Sequence, residues 1–254
     1  MHIFKSFVMA FSIYSKIPVP QFEWKREDMK YMLCFFPWVG GVIGAGVYLW
    51  GYLCELLEIG EICRILIGAA IPLVITGGFH VDGFMDTMDA FHSYQSKEKK
   101  LEILKDSHIG AFAVIMFALY GMVYIGAFSE VTDKSLLRIV CSGFFLARCL
   151  SGISVVSFPP AKKDGMLYLS ADSSRKGIVK WSLCLQGAAC IAFMLRQALY
   201  AGIIAAAAAF LTFAYYYDRT KKELGGITGD TAGYFVLICE AGVMIAAAAV
   251  SVVM

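Results

Sequence analysis

Apolar residues in this chain come in long unbroken runs, not in short alternating stretches. Seven segments, approximately 31–57, 62–79, 109–128, 136–157, 178–195, 198–217 and 231–254, are each close to the roughly 17–25 residues needed to cross a bilayer. The pattern predicts an all-α, polytopic membrane bundle of about seven transmembrane helices. The second and fifth segments are the shortest, so six crossings plus a re-entrant piece also fits. Ahead of them, Ile3, Phe4, Phe7, Val8 and Phe11 recur at helical spacing, with Lys5, Ser12 and Ser15 elsewhere on the wheel. This predicts an interfacial amphipathic helix, or alternatively a first core-facing helix, stopped by Ile17-Pro18-Val19-Pro20. Lys5 and Lys16 break its apolar run and no A-x-A site follows, which argues against a signal peptide. Trp181 and Tyr215-Tyr216-Tyr217 fall at segment ends, where interfacial aromatics belong, and the run Ala205–Ala209 reads as close helix packing. No repeat, low-complexity tract or second domain interrupts residues 1–254.

Composition agrees. Of 254 residues, 59% are apolar and 17% charged, against about 45–50% and about 25% in soluble domains. A water-soluble enzyme is thereby excluded. The net charge of +2 argues against a nucleic-acid partner. The eight cysteines contain no C-x-x-C pair and mostly sit in apolar runs, as small buried hydrophobes do. Basic residues sort strongly on the seven-span topology: seventeen fall on the side of the N-terminal region and four on the other, with Arg148 inside a span. The positive-inside rule then puts the N-terminus and the larger loops in the cytoplasm, in a multi-pass protein of the plasma membrane.

Those loops carry the unusual residues. After the second span come His80, Asp82, Asp86 and Asp89. The aspartates are spaced i, i+4, i+7, which on a helix lines up three carboxylates about 5–6 Å apart. Their mutual repulsion is relieved by a divalent cation, and oxygen-only ligands point to Mg²⁺ or Mn²⁺ rather than zinc. The alternative is a solvated acidic face. His80 is a candidate base or phosphate holder. Lys105-Asp106-Ser107 opens the third span, as a helix cap or as an anion site, and Lys162-Lys163 forms a basic turn suited to a diphosphate. Gly225-Gly226-Ile227-Thr228-Gly229-Asp230 precedes the last span; its glycines allow close backbone approach, while Thr228 and Asp230 offer bonds to a nucleotide or to metal-bound water. Arg148 and Glu240 lie within spans and must pair or line a polar cavity.

The run His80-x-Asp82-Gly83-x-x-Asp86-x-x-Asp89, then Asp106-Ser107-x-x-Gly110 and Gly225-Gly226-x-Thr228-Gly229-Asp230, resembles the cobalamin synthase family of adenosylcobinamide-GDP ribazoletransferases. The likeness extends to Lys16-Ile17-Pro18-Val19-Pro20. It implies a single membrane-embedded catalytic domain that joins adenosylcobinamide-GDP to α-ribazole or its 5′-phosphate, with Mg²⁺, releasing GMP. Asp82, Asp86 and Asp89 are then the expected metal ligands, with His80, Asp89 and Asp106 as catalytic candidates. Lys105, Ser107, Arg148, Lys162, Lys163, Thr228 and Asp230 are the expected substrate-binding residues, and membrane lipid and a second copy of the chain are the other expected partners. One departure stands out: Ala161-Lys162-Lys163-Asp164-Gly165-Met166-Leu167 replaces an arginine-containing stretch, exchanging a planar fork for point charges. The acidic motif is similar in style to that of CDP-alcohol phosphotransferases, but no Ala-Arg follows Asp82-Gly83 at the expected spacing. A phosphatidyltransferase is therefore the rival enzyme, and a small cation transporter using Arg148 and Glu240 is a more distant one.

Overall fold

The tightest packing in the molecule is made by residues with almost no side chain. On α2 (Met32–Leu56), Gly40 and Gly44 stand one turn apart, and a Cβ added to them would lie 2.2 Å from the Phe144 carbonyl oxygen and 2.3 Å from that of Cys141. These carbonyls belong to α7 (Lys134–Ser157), so the two helices meet backbone to backbone. In a membrane, where lipid is as apolar as leucine, such small-residue contacts supply the van der Waals energy that holds helices together. The same device recurs on α10 (Leu199–Leu224), where Ala201, Ala205 and Ala209 are buried and Gly202 abuts the Met194 backbone of α9 (Lys176–Gln197). The alanine run thus packs as the sequence predicts.

A computed structural model of the chain describes residues 2–253. Among the described residues helix is the only regular structure, apart from one isolated bridge between Pro160 and Ile227, and there is no strand. Six helices are each long and apolar enough to cross a membrane: α2 with its preceding 3₁₀ turn, α6 (Ala111–Ser129), α7, α9, α10 and α11 (Gly229–Val253). This is a multi-pass membrane protein. The remaining apolar segment becomes α3 (Glu61–Thr76), whose 16 residues reach only ~24 Å. Gly77 and Gly78 then adopt φ of 62° and 79°, a left-handed pair that a residue with Cβ resists, and the chain turns by 93° into α4 (Phe79–His92). The break turns α4 away from the direction of α3, toward one end of the bundle.

The first helix, α1 (His2–Tyr14), combines both readings of its pattern. Val8, Met9, Ala10 and Phe11 pack inward on α2, while Ile3, Phe4 and Phe7 remain exposed. Trp181 is 79% exposed as an interfacial aromatic should be, but Tyr216 is fully buried against Phe235 and Phe158, so only part of the tyrosine run is interfacial. All eight cysteines are free thiols.

Replacing Gly40 by Leu inserts a branched side chain where a Cβ alone collides with backbone. We expect it to destabilise the bundle by at least about 1–3 kcal/mol, seen as a lower thermal unfolding midpoint in detergent. Gly126→Ala, at a position with open space around it, should leave that midpoint unchanged.

Candidate functional site

α4 carries the acidic row, and its position is set by another glycine contact. A Cβ on Gly83 would lie 2.7 Å from the Asp230 carbonyl oxygen, and one on Gly233 would lie 3.1 Å from that of His80. α4 therefore runs against the first turns of α11, bringing Asp230 beside Asp82 and Asp86. The Asp86 carboxyl, half-buried on α4, is pushed up to about 6, first by loss of water and then by the charges of Asp82, Asp230 and Asp89.

Opposite the acids stands the basic turn. Gly226 approaches the Pro159–Ala161 backbone so closely that a Cβ would sit 2.5 Å from the Pro159 oxygen. Two backbone bonds lock this contact, Ala161 N to Ile227 O at 2.9 Å and Ile227 N to Pro159 O at 3.0 Å. Lys162 is thereby delivered to the same place as Asp230. Its Nζ donates to the Leu101 carbonyl at 2.8 Å, a bond made possible by α5 (Lys97–Ile103). Burial and then the neighbouring Lys105 lower the Lys162 pKa. Lys105 itself lies 3.7 Å from Asp164. A cleft of about 370 Å³ results, walled by Asp82, Asp230, Thr228, Lys105, Lys162 and Asp164, with Phe79, Met166 and Leu167 as its apolar side. Acids and bases face each other across it.

The other expected site residues are distributed elsewhere. Asp89 has a structural task on the same helix face. Its Oδ2 accepts from Gly110 N at 2.7 Å and its Oδ1 from Ala113 N at 2.8 Å, so the carboxylate caps the first turn of α6 from another helix. Each oxygen carries one of these two bonds. The α6 cap is thus not Asp106 or Ser107. Asp106 is exposed and accepts from the His108 backbone N–H at 3.0 Å, and neither it nor Ser107 lines the cleft. Lys163 is exposed and outside the cleft wall. Thr228 lines the cleft while also capping α11, its Oγ1 accepting from Thr231 N at 3.2 Å and its N–H donating to Thr231 Oγ1 at 2.9 Å.

Arg148 and His80 lie inside the bundle. Arg148 is 1% exposed and donates to Glu240 at 2.6 Å and to the Phe144 carbonyl at 2.8 Å. The two intramembrane ions pair with each other, and both border a cavity of about 180 Å³ shared with Thr76, Tyr120, Tyr124 and His80. Arg148 is therefore placed away from the cleft. His80 is 4% exposed, stacked beside Tyr14 and Phe36, and neither ring nitrogen has a partner. It faces this cavity and a smaller one of about 70 Å³ behind Phe79, not the cleft itself.

Asp230 and Asp164 are the residues whose placement the sequence motifs underweight. Asp230 joins the acidic row from a helix more than 140 positions away, and only the glycine at 83 hints at such an approach. Among the described residues no three His, Cys, Asp or Glu side chains enclose a metal ion by themselves. A cation here would be gripped by one or two carboxylates and would complete its shell with water or phosphate oxygens, which suits a small hard ion.

The cobalamin-5-phosphate synthase family matches residues 6–248. A protein of Lachnoclostridium phytofermentans named adenosylcobinamide-GDP ribazoletransferase is 41% identical over 232 residues, covering 91% of this chain and 88% of its own length. Proteins of the same name from Clostridium perfringens and Listeria monocytogenes are 32% and 30% identical, over 93% and 90% of this chain and 94% and 91% of their own. No solved structure matches. With the family's match running through almost every helix that builds the cleft, the chain belongs to the cobalamin-5-phosphate synthase family and is a transferase of cobalamin biosynthesis.

Proposed function

We propose that the chain transfers the adenosylcobinamide-phosphate group of adenosylcobinamide-GDP to α-ribazole or its 5′-phosphate, releasing GMP, in a Mg²⁺-dependent reaction. One observation carries the reading: Asp82 and Asp230, on two helices, face Lys105 and Lys162 across a single cleft. A nucleotide diphosphate needs both signs of charge, cations for its own oxygens and carboxylates for the metal that travels with it.

Lys105 and Lys162 would hold the diphosphate, Lys162 by a half-buried ammonium whose lowered pKa is relieved when an anion arrives. The backbone of Ile227–Asp230, which lines the cleft, would approach the nucleotide closely. Asp82 and Asp230, with Asp86 beside them, would hold Mg²⁺. Held by these carboxylates, Mg²⁺ would supply charge neutralisation to the diphosphate and so favour departure of GMP. A ribose hydroxyl oxygen attacks the phosphorus that bears the corrinoid's arm. A new P–O bond forms, the bond to GMP breaks, and the hydroxyl proton passes to a carboxylate of the cleft. Met166, Leu167 and Phe79 exclude water from the other side. The basic residues around the cleft belong to the loops that carry seventeen of the chain's lysines and arginines, and this charge bias supports a cleft that opens to the cytoplasm.

Detergent-solubilised protein should release GMP from adenosylcobinamide-GDP when α-ribazole and Mg²⁺ are both added, and excess EDTA should stop it. GMP release that ignores EDTA would remove the metal. Asp82→Asn and Asp230→Asn should each lower kcat by about 100-fold or more at an unchanged unfolding midpoint. Asp89→Ala should do the reverse, costing about 1 kcal/mol of stability as a lost cap and sparing most of the turnover in cold assays. Lys162→Ala should raise KM for the GDP-activated corrinoid about tenfold, the worth of one charge-assisted bond, with kcat largely retained.

A further inference from the structure

Far from the cleft, at the opposite end of the bundle, Arg138 sits one turn inside α7 and bonds only to neutral groups. Its Nη1 donates to Gln197 Oε1 and its Nη2 to the Tyr48 hydroxyl, both at 3.2 Å. Three other cations at this end or at membrane depth have acids: Arg148 has Glu240, Arg64 has Glu61 at 3.8 Å and Lys134 has Glu55 at 2.9 Å, whereas Arg196 in the last turn of α9 shares with Arg138 the lack of one. Among the described residues no carboxylate lies within 4.0 Å of Arg138. A guanidinium left without a counter-ion near the apolar layer is unfavourable, so something anionic belongs beside it.

Two hollows meet at this residue. A groove of about 600 Å³ runs between α2, α7 and α9, with Trp38, Ala45, Phe145, Ala189 and Phe193 among its walls. Beyond it lies a more polar recess of about 490 Å³ that holds Arg64, Lys134 and Glu55. Tyr48 and Arg138 belong to both. From Trp38 to Tyr48 the groove extends ~15 Å along α2, and Trp38 and Phe193 are 52% and 47% exposed on the lipid-facing side. An apolar slot that ends in a cationic pocket at the membrane boundary has the shape and charge of one kind of molecule.

We propose that this groove binds an anionic phospholipid, with an acyl chain in the slot and the phosphate on Arg138. The guanidinium offers paired N–H donors to phosphate oxygens, and the recess receives the headgroup between Arg64 and Lys134. The site is independent of the transfer reaction.

Native mass spectrometry of the full chain released from detergent, loaded with equal dioleoyl phosphatidylglycerol and dioleoyl phosphatidylcholine, tests this. One phosphatidylglycerol should be retained per chain, with about fivefold preference, corresponding to about 1 kcal/mol for one basic residue. Arg138→Gln should erase the preference and Arg138→Lys should restore part of it. Ala189→Trp, which fills the slot from an exposed position, should reduce retention of both lipids. GMP release and the unfolding midpoint report that each variant is folded. Equal retention of the two lipids, or a preference that survives Arg138→Gln, overturns the proposal. So does a lipid-free dimer that Ala189→Trp dissociates, which would give the groove to a second copy.

Discussion

Everything at the cleft depends on how closely α4 approaches the first turns of α11. Carboxylates on separate helices repel one another, and left to electrostatics Asp82 and Asp86 would move away from Asp230. The backbone contact at Gly83 and Gly233 holds them together, because with no side chain between the helices the separation is fixed by van der Waals contact. The opposing repulsion shows in the raised pKa of Asp86, to which both neighbours contribute after burial. Any larger residue at position 83 would separate the acids, so this glycine sets the charge density of the site although it carries no chemistry. Gly226 plays the same part for the cationic wall, pressing the Gly-rich loop onto Pro159–Ala161 and so bringing Lys162 opposite Asp230.

The helical row of aspartates was legible in sequence, and its division of labour was not. A spacing of i, i+4, i+7 does put three side chains on one face, but a helix face is long enough to meet different partners along its length. Asp82 lies on the cleft, Asp86 stands beside it, and Asp89 arrives at the N–H groups of Gly110 and Ala113. No local pattern encodes that meeting, because the cap and the capped turn are separated by about twenty residues and by α5. Where local signals did point, at Asp106 and Ser107, the helix begins only at Ala111, four residues after the second of them. A capping propensity ranks residues for a role that a distant carboxylate can fill first.

The spans themselves were readable because membrane insertion enforces apolarity residue by residue, and that constraint does not depend on tertiary contacts. Which helices touch was less so. Gly40 and Gly44 form the tightest contact in the bundle, yet in an apolar run rich in glycine they carry no more weight by composition than Gly41 or Gly46, which face looser neighbours. Arg148 and Glu240 are a similar case. Their presence inside spans demands a partner, but sequence alone leaves open whether that partner is each other or a polar cavity. They do both, pairing at 2.6 Å while bordering the hollow beneath His80.

That arrangement bears on why such a site is built on membrane helices at all. The cleft rests on the ends of α4 and α11 and on the loops between spanning helices, so one side of it faces water and the other faces a packed apolar interior containing Phe84, Tyr234 and Phe235. Charges at such a boundary are less screened than on a soluble surface, and a cation or anion placed among them is attracted more strongly. Asp86 and Lys162 both register this, each shifted first by burial and in the direction that disfavours its charged form. A lone charge would be expelled from such a place or neutralised. The proposed ligand, a diphosphate with its metal, would satisfy both walls at once by setting each charge beside its opposite. The bundle supplies the rigidity this needs, since neither wall can collapse onto the other while Gly83 and Gly226 fix the backbone behind it.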